Sequence, residues 1–166
     1  MAAPMPPRPA SLDAARPPLR DGTSEGEAPS AGRPGRSTDE AMRLRGIRGA
    51  TTVEHNTREA ILQATTELLT AIIEANGVHR DDVASVFFST TPDLDAEFPA
   101  VAARDLGWTK VALMCAHEMN VPGSLPMCLR ILMHVNTSKT ADEIEFVYLR
   151  GAKRLRPDLL GQQGQA

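Results

Sequence analysis

Apolar positions fall into regular periods only after about residue 42. Ile61, Ala64, Thr65, Leu68, Leu69, Ile72 and Ile73 recur at steps of three and four, which gives a helix with one apolar face. Asn56-Thr57-Arg58-Glu59 opens that helix as a capping box, with Asn56 as the cap, and Gly77 supplies the stop. Residues 43–50 alternate over part of their length and read as a first strand. Val83–Thr90 reads as a buried strand ended by Thr91-Pro92-Asp93. Pro99 then opens a short helix over about 100–106. A third strand is expected over 110–115, followed by a polar loop over 116–124. Residues 129–135 read as a fourth strand, with a helix as the alternative, and 144–149 as a fifth; 152–155 adds a further short strand. Strands and helices mix without the regular repeat of a doubly wound sheet.

The first 40 residues are different. They hold 8 of the 13 prolines and lack Val, Ile, Phe, Trp and Tyr. Such a segment buries too little surface to offset about 1–2 kcal/mol per residue of backbone ordering, so residues 1–41 are expected to be disordered. Five arginines nearly cancel six acids there, and the stretch lacks the apolar centre of a secretory signal. Met42 stands where the apolar pattern begins. It reads equally well as a translation start or as the end of a dispensable tail. The organisation expected is therefore an extension over 1–41, one domain over 42–159 and a flexible tail over 160–166.

Charge and cysteine content narrow the chemistry. The net charge is −3, which argues against a general polyanion binder. Two cysteines make no disulfide framework and have no zinc-site spacing, so Cys115 and Cys128 read as reduced thiols of a cytoplasmic protein. The four histidines show no paired ligand spacing, no Gly-rich phosphate loop occurs, and no metal or cofactor is expected. Cys115 reads as a small buried residue rather than a nucleophile, and His117 as a solvated loop histidine beside Glu118. Arginines embedded in apolar strands are the unusual feature: Arg48 follows Ile47, and Arg130 sits within Leu129-Arg130-Ile131-Leu132-Met133. A charge in such a place is either paired with an acid or turned into an anion pocket. With Arg104 and Arg156 also in the domain, a small ligand with several carboxylates becomes a candidate.

The segment Arg45-Gly46-Ile47-Arg48-Gly49-Ala50-Thr51-Thr52-Val53-Glu54 closely resembles the opening of the monofunctional chorismate mutases of the AroH class. Further matches follow in order: Ser89-Thr90-Thr91-Pro92-Asp93-Leu94, Phe98-Pro99-Ala100, Cys115 through Glu118-Met119, Cys128-Leu129-Arg130, Val147-Tyr148-Leu149 and Leu155-Arg156-Pro157-Asp158-Leu159. The resemblance covers about residues 43–159. It implies an α+β protomer, a mixed β-sheet with helices packed on one face, assembled as a homotrimeric pseudo-α/β-barrel with active sites at subunit interfaces. The implied reaction is the Claisen rearrangement of chorismate to prephenate in the shikimate pathway, on the way to phenylalanine and tyrosine.

That rearrangement needs no covalent intermediate, proton transfer or cofactor, so its levers are conformer selection and fixed positive charge. By resemblance, Arg130 faces the breaking ether oxygen, Arg48 binds a carboxylate and Glu118 takes the substrate hydroxyl. Tyr148 would donate to a carboxylate, while Cys115 and Met114 line the ring end. Phe98, Ala100 and Arg104 match positions supplied by the neighbouring subunit, and Leu155 with Arg156 match the C-terminal segment near the pocket. Val101 stands in place of a rim lysine, and Met114 in place of a smaller polar residue, so weaker substrate capture is an expectation. The rival class is a RidA-type trimeric small-molecule binder or imine deaminase, which also places an arginine in an intersubunit cleft.

Overall fold

The computed structural model describes residues 41–157. The extension expected over 1–41, apart from Ala41, and the tail expected over 160–166 lie outside the described residues. Five strands form one mixed sheet: β1 (Arg43–Thr52), β2 (Val83–Thr90), β3 (Ala112–His117), β4 (Cys128–Thr137) and β5 (Val147–Tyr148). Their order is β3-β2-β4-β1-β5. β4 runs antiparallel to both β1 and β2, whereas β3 and β5 run parallel to their neighbours.

One face of the sheet is covered. Helix α1 (Arg58–Asn76) turns Ile61, Ala64, Leu68, Leu69 and Ile72 onto Ile47, Val86, Phe88, Ile131 and Met133. Each of these buried side chains larger than alanine contributes about 1.5–3 kcal/mol of transfer free energy. Helix α2 (Ala100–Asp105) adds Ala100 and Ala103 to the same core. Gly49 lets α1 come this close: a Cβ there would sit 2.7 Å from Ile72 Cδ1 and 3.0 Å from the Val147 carbonyl oxygen. The α+β class and the helices on one face agree with the sequence reading.

The other face of the sheet is open, and strand alternation decides what stands on it. Cross-strand partners share a face, so Met114, Phe87, Leu132 and Arg48 form one row across it and Ser89, Arg130, Ala50 and Tyr148 the next. Phe87 and Leu132 are 39 % and 38 % exposed. Thus β2 is buried on one face only, against the expectation of a wholly buried strand. A bulge between Val83 and Ser85 corrects its parity, so Val83, Val86 and Phe88 all point to the helices.

Several boundaries differ from expectation. Thr57, not Asn56, caps α1: its hydroxyl accepts from Ala60 N, and Ile61 N bonds its carbonyl. Asn56 is occupied instead with the 92–99 loop, accepting from Asp95 N and Ala96 N and donating to the Asp95 carboxylate. Gly77 ends the helix in the left-handed conformation at φ 62°, as expected. β3 lies two residues later than expected because it pairs along β2 from Ser85 to Thr90. His117 is therefore its last residue rather than part of a loop. Residues 129–135 do lie in a strand, which removes the helical alternative.

The fifth strand shrinks to two residues. Asn76 at the end of α1 hydrogen-bonds both the N–H and the carbonyl of Glu145, so a side chain satisfies groups that a ladder would otherwise use. The expected strand over 152–155 is a 3₁₀ helix, Arg150–Leu155. Leu149 N still bonds the Ala50 carbonyl, but Arg150 turns to φ 49° and Gly151 N bonds the Thr52 hydroxyl, which takes the chain off the sheet.

Candidate active site

The open face carries a cavity of about 510 Å³ above β1 and β4. Arg48 from β1, Arg130 from β4 and Arg156 after the 3₁₀ helix line it together with the carboxylate of Glu118. Tyr148 and Leu155 form the side that packs on Ala50, Leu125, Cys128 and Ala152. Phe87 and Leu132 supply an apolar wall. Arginine on an open sheet face does not carry the full cost of burial, and Arg130 remains partly accessible, with 29 % of its side chain exposed.

Glu118 sits one residue past β3, where its N–H donates to the Thr90 carbonyl at 2.8 Å. That bond fixes the backbone and aims the side chain at β2 and β4. Arg130 Nη1 lies 2.8 Å from Glu118 Oε2. The Ser89 hydroxyl donates to Oε1 of the same carboxylate. Partial burial pushes the Glu118 carboxyl up. The hydrogen bonds from Ser89 and Arg130, with the charges of Arg130 and Arg48, outweigh it and hold the group below its ordinary value. The carboxylate is therefore kept ionised and acts as a fixed acceptor rather than a proton donor.

Of the residues singled out from the sequence, Arg48, Glu118, Arg130, Tyr148, Leu155 and Arg156 come together in this cavity. The others do not. Phe98 and Cys115 line a separate hollow of about 310 Å³ with Leu94, Pro99 and His117. Cys115 shares the helix-side face of β3 with Leu113, so within one chain it is turned away from Arg130. Burial pushes its thiol up, against the smaller opposing effects of an Ala100 backbone hydrogen bond and the Arg104 charge. A thiol shifted in that direction carries less of the thiolate that a nucleophile needs. Ala100 is buried at the start of α2, and Arg104 lies in the last turn of that helix. Met114 is exposed on the open face beside Phe87. Phe98 is 68 % exposed.

Ser89 was missed as a site residue, and so were Phe87 and Leu132. The available signal was alternation: a serine two positions from Phe87, facing the same way as an arginine on the neighbouring strand. Among the described residues no cluster of His, Cys, Asp or Glu could hold a metal ion. No described helix is long and apolar enough to cross a membrane.

The fold and cavity define a small α+β protein with an arginine-lined cavity on the open face of a mixed sheet. Comparison with known proteins gives this class a family. The description of type I chorismate mutases matches residues 44–159. Chorismate mutase AroH of Thermus thermophilus is 52 % identical over 121 residues, covering 72 % of this chain and 99 % of the relative. Chorismate mutase AroH of Bacillus subtilis (strain 168) is 51 % identical over 119 residues, or 71 % and 94 % of the two chains. A solved chorismate mutase from Clostridium thermocellum superposes with a TM-score of 0.66 at 54 % identity, covering 66 % of this chain and 98 % of that one. The chain belongs to the type I chorismate mutase family, and it is an enzyme of the isomerase class. The RidA-type alternative gives way to that membership.

Proposed function

We propose that the protein converts chorismate to prephenate by an intramolecular Claisen rearrangement, within a homotrimer whose active sites each combine two subunits. The carrying observation is the pairing of Arg130 with Glu118 in a cavity walled by Arg48 and Tyr148. In the rearrangement one C–O bond breaks while one C–C bond forms, and electron density gathers on the ether oxygen. A guanidinium held beside that oxygen stabilises the developing charge without any proton transfer. Arg48 and the Tyr148 hydroxyl hold carboxylates, so the flexible substrate is kept in its chair-like reactive shape. Glu118, ionised and pinned, accepts the substrate hydroxyl.

The two-subunit site has support in what one chain leaves apart. The Arg130 cavity opens onto a half-apolar sheet face, while the Phe98 and Cys115 hollow lies on the helix side. A ring of copies would bring one chain's hollow to the next chain's cavity. Phe98, Ala100 and Arg104 of the neighbouring chain would then complete the wall opposite Arg130. The place of action is the cytoplasm, in aromatic amino acid biosynthesis.

Subunit mixing tests the shared site. Arg130→Ala and Arg104→Ala homotrimers should each be strongly impaired. In a ring, every mixed trimer rebuilds one intact site, so an equal mixture should recover activity at about a quarter of the sites. A mixture no more active than its parents contradicts the shared site.

A further inference from the structure

Arg130 and Glu118 pose a difficulty for a ligand-binding cavity. A carboxylate beside a guanidinium tends to bind it with both oxygens and take up two of its N–H groups. An arginine closed in this way has little left for a substrate.

Ser89 resolves this. It is the direct cross-strand partner of Arg130, on the same open face, and it is half-buried. Its hydroxyl donates to Oε1 of Glu118, the oxygen that Arg130 does not use in its 2.8 Å contact with Oε2. The backbone of Glu118 is fixed independently by the Thr90 carbonyl. Two anchors therefore hold the carboxylate, a serine hydroxyl and one arginine nitrogen, and a main-chain bond holds the residue that carries it.

We propose that Ser89 is a positioning residue. By holding Oε1, it limits Glu118 to a one-pronged contact and leaves the rest of the Arg130 fork open to the substrate. This rests on the assignment of Arg130 and Glu118 to substrate binding made above. Ser89 itself touches no reacting atom; it acts through Glu118.

The test is a double-mutant cycle on kcat/KM for chorismate. Ser89→Ala should lower kcat/KM about ten- to a hundredfold, the range for losing a hydrogen bond to a charged group. Ser89→Thr, which keeps the hydroxyl, should stay within about threefold of wild type. In a Glu118→Ala background, adding Ser89→Ala should cost less than about twofold, because nothing is left to position. A loss that persists undiminished in that background shows a packing role and overturns the proposal, as does full activity in Ser89→Ala or a threonine variant as poor as alanine. If Ser89→Ala folds badly by circular dichroism, Ser89→Cys keeps the bulk and weakens the donor; it should show a loss of the same direction, and wild-type activity there overturns the proposal. Glu118→Ala with undiminished activity overturns the site assignment itself, which is a separate and distinguishable failure.

Discussion

Arg130 Nη1 lies 2.8 Å from Glu118 Oε2, so the cation assigned to the ether oxygen is already held by an anion before substrate arrives. The pair comes from two strands that are not neighbours: β4 is central, and Glu118 follows the edge strand β3. Ser89 on β2 stands between them. An electrostatic site of this kind is organised before the reaction and needs little rearrangement during it.

Arg130 should therefore be sensitive to shape as well as charge. Arg130→Ala is expected to cost about 2.7–4 kcal/mol of transition-state stabilisation, or about a hundred- to a thousandfold in kcat. Arg130→Lys should recover little of it, because an ammonium is a point charge without the planar fork. Steady-state kinetics on variants with an unchanged circular dichroism spectrum check both.

The acid limit follows from two depressed carboxyls. Glu118 is held down because the bonds from Ser89 and Arg130 overcome the effect of burial. Asp93 is held down in the same sense: burial pushes its carboxyl up, and its bonds to the Thr91 hydroxyl, Met127 N and its own backbone N–H together outweigh that. A group whose folded value lies below its unfolded value stabilises the fold at higher pH and loses that contribution as pH falls through the folded value. Thermal stability should stay level as pH falls to the ordinary values of 4.5 for Glu118 and 3.8 for Asp93, and decline only below them. Asp93→Asn should flatten that decline. A melting series against pH in wild type and variant measures it.

Gly49 separates packing from chemistry. A methyl there meets Ile72 Cδ1, Leu68 Cδ1 and the Val147 carbonyl at 2.7–3.1 Å, and the carbonyl belongs to backbone that must move. Gly49→Ala should destabilise the fold by about 1–3 kcal/mol, as overpacking does. Urea unfolding gives the value, and the direction is a loss of stability.

Asn56 ties the start of α1 to the loop that presents Phe98. Asn56→Ala leaves the Asp95 and Ala96 amides without their acceptor, at about 1 kcal/mol each. Hydrogen exchange of these two amides should accelerate about five- to tenfold, with the β4 amides unchanged.

Much of the fold was legible because period and face agree. α1 could be read from its apolar stripe and Gly77, and the arginine in Leu129–Met133 stood out because charge rarely occupies an apolar strand. What escaped depended on competition between local groups. Asn76 takes the backbone of Glu145 and shortens β5. Thr57 outcompetes Asn56 as the cap because Asn56 has partners 39 and 40 residues away. The role of Ser89 depends on cross-strand register, which single-chain periodicity does not supply. The separation of Cys115 from Glu118 likewise follows from the strand: Cys115 takes the helix-side face of β3, whereas Glu118, one residue past it, reaches Ser89 and Arg130 on the open face. The family resemblance places both at the ring and hydroxyl end of one site.

The most direct test of the central claim is chorismate disappearance by ultraviolet absorbance, with prephenate identified by mass, for wild type and Arg130→Ala together. Fixed-charge catalysis predicts prephenate from the wild type and a collapse of turnover in a variant that keeps its fold and assembly. A wild type that binds chorismate without making prephenate, or a variant that turns over normally, contradicts it.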